Sequence, residues 1–208
     1  MQPFTALTAV AAPLDIAKLD TGVILPGRFM RLRRIPGVAD YANAFVHDLR
    51  FDEQDRPRAD FVLNLAPYRG AGILVTGMDF GCGSSREGAA YAVLDFGVRA
   101  LIGTSFGDVF VANCLQNGIV PAVLPAAAVQ DLWRQLQATP GAQVTVDLIN
   151  QTVIGPDGTR HAFAIDATRK ERLMKGLDDV GVTLEHLPRI EAFEAAYRKR
   201  MPWLARRI

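Results

Sequence analysis

The stretch ILVTGMDFGCGSSREGAAYAVLDFGVRALIGTSFGDVFVANCLQNGIVPAVL, residues 73–124, decides the fold. Short apolar runs at Ile73–Thr76, Arg99–Ile102 and Val120–Leu124 read as strands, and the stretches between them, Ser84–Asp95 and Ser105–Asn117, have helical periodicity. Gly97 ends the first helix and Gly118 lies just beyond the second, where a left-handed C-terminal residue suits glycine. Strand, helix, strand, helix, strand implies parallel pairing through right-handed crossovers.

Downstream, Pro125–Gln137 predicts one more helix, after which the pattern changes. Gln143–Ile149, Thr152–Ile154 and His161–Ile165 predict short antiparallel strands, with Pro156-Asp157-Gly158 as a hairpin turn. Asp166 is placed to cap a helix reaching about Gly176, and a charged helix over Arg189–Arg200 closes the chain. Upstream the signals are weaker. Leu14–Leu25 reads as short strands or turns around Asp20-Thr21-Gly22, and Phe29–Phe51 as a basic loop broken at Pro36-Gly37 and followed by a helix over Val38–Leu49. Asp52–Asp60 is polar enough to be an exposed loop. The expectation is one α/β domain over residues 1–208: a parallel central sheet, an antiparallel accessory sheet, helices covering one side, and a helical extension from about residue 188.

Composition narrows the function classes. With 208 residues, 50% of them hydrophobic, the chain can bury a real core. Its 23 basic and 22 acidic residues nearly cancel, so bulk charge does not point to nucleic acid or to an anionic membrane. Cys82 and Cys114 make no disulfide framework and have no zinc-ligand spacing, which fits reduced thiols and a cytoplasmic setting. Neither a secretory leader nor an apolar run of about 18 residues is visible, so no membrane partner is expected.

The chemistry is expected between Gly77 and Gly88, where glycines, two hydroxyls, a cation and a carboxylate meet at a strand-to-helix junction. Unpaired amides and the helix dipole favour negative charge there, whether on a bound carboxylate or on an ionised Ser84. Gly81 and Gly83 would let a ligand approach the backbone, and Arg86 carries the planar fork that matches a carboxylate at two points. A plainer reading stands beside this one: Ser84-Ser85-Arg86-Glu87 is also a capping box, which needs no function.

Other site types fail on spacing. Arg86 occupies the place of the third glycine in G-x-G-x-x-G, and Ala89-Ala90 follow Gly83–Gly88 where a P-loop needs Lys and Ser or Thr. There is no G-x-S-x-G elbow, and His47, His161 and His186 read as surface or structural residues. Cys82, lacking a partner base, reads as a packing residue.

Taken whole, Asp79-Phe80-Gly81-Cys82-Gly83-Ser84-Ser85-Arg86-Glu87 resembles the signature of the 3-isopropylmalate dehydratase small subunits, freestanding forms of the aconitase swivel domain. The likeness extends to Pro13-Leu14-Asp15 with Asp20-Thr21, Asp60–Asn64, Ser105–Phe110 and Gly176–Gly181. It implies a layered β/β/α swivel domain and a hydro-lyase of leucine biosynthesis, isomerising a hydroxy-diacid through an alkene. It further implies that Ser84 is the catalytic base, and that Ser85 and Arg86 bind a small carboxylic acid substrate with Gly83, Thr21, Arg33 and Arg34. The Lewis acid implied is a [4Fe–4S] cluster on a large partner subunit. Two cysteines some thirty residues apart do not supply the thiolates such a cluster needs, so no metal is expected on this chain. The sequence departs from the family pattern at Gly22, where aspartate is usual, at Asp79 for asparagine, at Gly88 for histidine, and in the substrate loop Arg28–Val38. Those departures keep open a paralogue acting on another hydroxy-diacid or tri-acid, or a non-catalytic partner module.

Overall fold

A computed structural model describes residues 1–35 and 40–205. Its strands are β1 (Ala6–Leu14), β2 (Ile73–Thr76), β3 (Ala100–Gly103), β4 (Val120–Val123), β5 (Gln143–Asp147), β6 (Thr152–Ile154) and β7 (Arg160–Ala162). Among the described residues the helices are α1 (Thr21–Ile24), α2 (His47–Arg50), α3 (Gly88–Asp95), α4 (Asp108–Gln116), α5 (Ala126–Ala138), α6 (Ala167–Lys175), α7 (Asp179–Leu184) and α8 (Leu187–Arg200).

The strands form one sheet in the order β4-β3-β2-β1-β5-β6-β7. β1 joins its two halves: Ala6–Val10 pair antiparallel with β5, and Ala11–Leu14 pair parallel with β2. The parallel and antiparallel parts therefore share a strand. The sequence reading misses β1, and the reason is physical. Its first residues have one exposed face while its last four are buried, so no single alternation runs through it; four alanines and Pro13 weaken the strand signal further.

Helices lie on both faces, not on one as expected. Ala12, Leu14, Leu74 and Leu101 pack toward α3 and α4, with Phe80 and Phe110 in the same cluster. Ile73, Val75, Ala100, Ile102, Val120 and Ala122 pack instead with Val129, Leu132 and Leu136 of α5. Strands apolar on both sides must be covered on both sides. α3 and α4 share one face, and α5, which runs from β4 to β5, fills the opposite face. Trp133 of α5 locks there by donating its indole N–H to the Val75 carbonyl at 2.9 Å.

The helix expected over Val38–Leu49 shrinks to α2. Its start at Val38 falls outside the described residues, and Val46, at φ +42°, takes a left-handed turn that interrupts any longer helix. Arg50 holds that turn, donating to the carbonyls of Ala42 and Phe45 at 3.0 and 3.3 Å. At the other end, α6 has the expected Asp166 cap, whereas α7, capped by Asp178 at 2.7 Å from the Gly181 nitrogen, is an addition. α8 buries none of its residues.

Gly77 shows how tightly the carboxyl end of β2 is packed. A side chain there would come within 2.7 Å of the Ala17 nitrogen and closer still to the Ile16 carbonyl. Backbone atoms cannot swing aside as a side chain can. Gly77→Ala is expected to cost about 2–3 kcal/mol, read as a fall of roughly 5–10 °C in thermal midpoint.

Candidate active site

Three loops leave the carboxyl ends of β1, β2 and β3, and backbone hydrogen bonds tie them together. The Lys18 and Gly81 nitrogens donate to the Met78 and Leu19 carbonyls at 2.6 and 2.8 Å, the Thr21 nitrogen to Cys82 at 3.0 Å, and the Gly107 nitrogen to Phe80 at 3.0 Å. Ser105 adds a side-chain link, receiving the Asp79 N–H at 2.9 Å and donating its hydroxyl to the Asp79 carboxylate at 2.6 Å. The crevice beyond the carboxyl ends of parallel strands is where open α/β sheets bind ligands.

The glycines of this junction make room for neighbouring side chains of the protein. At Gly81, φ +76°, the place of a side chain is filled by the Phe110 ring, which meets Phe80 edge-on at 5.5 Å. At Gly83, φ +92°, it is filled by the Asp20 carboxylate.

Ser84 and Ser85 are exposed and Arg86 is half-buried. The capping-box alternative is not what forms. α3 starts at Gly88, its N-cap position is Glu87 with no side-chain cap, and Glu87 accepts instead from the Asn117 amide at 3.2 Å. Ser84 thus lies in a bend ahead of the helix, where the dipole is weaker than a capping position would give. What fixes it is Thr21, 1% exposed, whose hydroxyl donates to the Ser84 carbonyl at 3.1 Å. The Arg86 guanidinium makes no hydrogen bond or ion pair among the described residues; its Nη1 lies 3.4 Å from where a side chain on Gly22 would begin.

The two loop arginines fare differently. Arg33 is exposed, with no partner among the described residues. Arg34, expected to bind substrate, is committed elsewhere: it donates twice to Asp95 at 2.8 and 2.7 Å and stacks on Tyr91 at 4.3 Å. Hydrogen bonding to Asp95 raises its pKa further. Asp95 also accepts the Tyr41 N–H at 2.9 Å, so removing the guanidinium would strand a largely buried carboxylate. Arg34→Ala is therefore expected to cost a few kcal/mol of stability and to leave KM within about threefold, measured by denaturant titration alongside kinetics. A large rise in KM would return Arg34 to the substrate.

Cys82 is half-buried and Cys114 fully buried, and burial pushes the Cys114 thiol well above its ordinary pKa. A thiol reagent applied to the folded chain should label Cys82 and spare Cys114, checked by mass spectrometry. Among the described residues no group of three His, Cys, Asp or Glu side chains is placed to hold a metal ion. The described residues, with Cys82 and Cys114 as their two thiols, do not fit an iron–sulfur cluster. Sequence reasoning passed over Asp20 and the Asp79–Ser105 pair as parts of the site. An Asp ahead of Thr-Gly at the end of a strand was the one local signal for the first; nothing local pairs the second.

Fold and site define the class: a swivel-type domain presenting a serine and an arginine on loops beyond a parallel sheet. The family model of the aconitase C-terminal domain matches residues 1–127. A LeuD_N model matches residues 130–167, and the model of the C-terminal domain of the 3-isopropylmalate dehydratase small subunit matches residues 179–207. The chain belongs to the 3-isopropylmalate dehydratase small-subunit family. It is 46% identical to the small subunit of Dinoroseobacter shibae and 47% identical to that of a Jannaschia species, in each case across 98% of this chain and 100% of the relative. A crystal structure of 3-isopropylmalate dehydratase from Methanocaldococcus jannaschii shares the fold, with a TM-score of 0.65 at 21% identity over 91% of this chain and 99% of that one.

Proposed function

We propose that this chain is the small subunit of a hydro-lyase that interconverts 2-isopropylmalate and 3-isopropylmalate in leucine biosynthesis. The observation that carries the reading is Ser84: exposed beyond the parallel strands, its carbonyl pinned by buried Thr21, with the Arg86 guanidinium, unpaired among the described residues, two positions on. Ser84 takes the proton from the carbon next to a substrate carboxylate. Arg86 and the Ser85 hydroxyl bind that carboxylate, so the charge building up on it is met by a fixed cation. Loss of hydroxide from the neighbouring carbon gives the alkene, and return of water with the regioselectivity reversed gives the isomer.

Hydroxide leaves with Lewis-acid help, which an iron–sulfur cluster on a large partner subunit supplies in this reading. The relatives' name, small subunit, supports such a partner. No helix of the described residues is long and apolar enough to cross a membrane, and the free thiols suit a cytoplasmic setting. Met30, Leu32 and Ile35, exposed on the substrate loop, favour an apolar side group such as isopropyl. A second reading, another hydroxy-diacid or a tri-acid, rests on the departures from the family pattern at Gly22, Gly88 and the substrate loop.

The test is anaerobic reconstitution with the large subunit from the same organism, followed by a panel of hydroxy-acids and the absorbance of the unsaturated intermediate. Turnover of isopropylmalates above all others supports the first reading. Preference for a different acid supports the second, and no turnover of any substrate by an intact, cluster-loaded complex removes both.

A further inference from the structure

We propose that Asp20 is a positioning residue for the serine loop, acting through Gly83 and through the α1 turn that it caps. The inference rests on the serine reading above. Asp20 stands at the end of the β1 loop, half-buried, where its Oδ1 accepts the Gly22 N–H at 2.5 Å. Its other oxygen lies against the bare α-carbon of Gly83, in the space a side chain would take. Gly83 is the residue before Ser84, at φ +92°, a left-handed conformation that glycine adopts without steric cost.

The same short segment grips the serine from its other side. Thr21, next to Asp20, donates twice: its N–H to the Cys82 carbonyl at 3.0 Å and its hydroxyl to the Ser84 carbonyl at 3.1 Å. Asp20-Thr21 thus touches three consecutive residues, Cys82, Gly83 and Ser84, and cradles the peptide that carries the hydroxyl. An exposed loop residue would otherwise sample several backbone states, and misplacement of a catalytic group by about 1 Å can cost about 10²-fold in rate.

Charge places Asp20 further. A side chain on Gly22 would start 2.9 Å from Asp20 Oδ1 and 3.4 Å from Arg86 Nη1, so carboxylate and guanidinium both lie against Gly22 without forming an ion pair. Asp20 spends its hydrogen bond on the Gly22 amide, which leaves the Arg86 fork to a ligand. The requirement on Asp20 is therefore for an acceptor of its shape at Gly22 and Gly83, more than for its charge.

The experiment compares Asp20→Ala, Asp20→Asn and Ser84→Ala, each reconstituted with the large subunit and each with its thermal midpoint measured. Asp20→Ala is expected to lower kcat by about 10²-fold while KM stays within about threefold, and Asp20→Asn, which keeps the acceptor, to recover kcat to within about fivefold of the parent. Normal kcat in Asp20→Ala overturns the proposal, as does an Asn variant as impaired as the Ala one, or a loss that falls on KM. A second arm uses Gly83→Ala. If its effect arises by displacing the carboxylate, the Asp20→Ala/Gly83→Ala pair is no slower than Gly83→Ala alone; additive losses refute the contact as the route. Failure of the underlying reading is distinct: Ser84→Ala would then turn over normally, whatever the Asp20 variants do.

Discussion

Ser84→Ala, assembled with the large subunit, is expected to lose turnover by about 10³-fold while its thermal midpoint stays within about 2 °C of the parent. The two halves of that expectation have separate grounds. Ser84 is exposed, and its hydroxyl has no hydrogen-bond partner among the described residues; what Thr21 holds is the Ser84 carbonyl, which alanine keeps. Surface substitutions of that kind change stability by about 0.5 kcal/mol or less. Removing a general base commonly costs about 10²–10⁴-fold in rate. Initial rates followed through the absorbance of the alkene, together with a thermal melt and size-exclusion of the complex, decide it. A variant with near-normal turnover would take serine out of the mechanism.

Arg86→Lys should raise KM by about 30-fold or more with a smaller change in kcat. A guanidinium gives a carboxylate two parallel N–H donors, whereas an ammonium is a point charge on a flexible stem. Hydrogen bonds to charged groups are worth about 1.5–3 kcal/mol, so losing one of two accounts for roughly 10- to 100-fold in binding. The protein itself has little to lose: Arg86 is half-buried, without an ion pair among the described residues, and stability should hold. Its cost lies in binding, and a KM series across substrates of differing carboxylate number will show it. Unchanged kinetics would refute the carboxylate role.

The contrast with Arg34 shows why residue type alone misleads. Both arginines suit a carboxylate by their chemistry, yet Arg34 is taken by Asp95, 61 residues away in the chain, and by the Tyr91 ring. Its partners belong to α3, and no pattern around Arg34 announces them. Thr21, expected as a substrate-binding residue, is 1% exposed and gives its hydroxyl to the serine loop, through a hydrogen bond spanning 63 residues.

What the sequence by itself determined is local in origin. Apolar runs broken by helical-period stretches were enough for β2, α3, β3, α4 and β4 with their parallel order, and Asp166 was enough for the start of α6, because periodicity and caps act within a few residues. The serine motif was equally legible as a chemical possibility. Only the tertiary structure decided the rest: β1 as the strand shared by both halves of the sheet, helices on both faces, Gly81 and Gly83 as seats for Phe110 and Asp20, and Ser84 ahead of its helix instead of capping it. Each of these depends on which distant group arrives to fill a space or accept a hydrogen bond. Such a choice is settled by packing across the whole fold, and a stretch of chain carries no record of it.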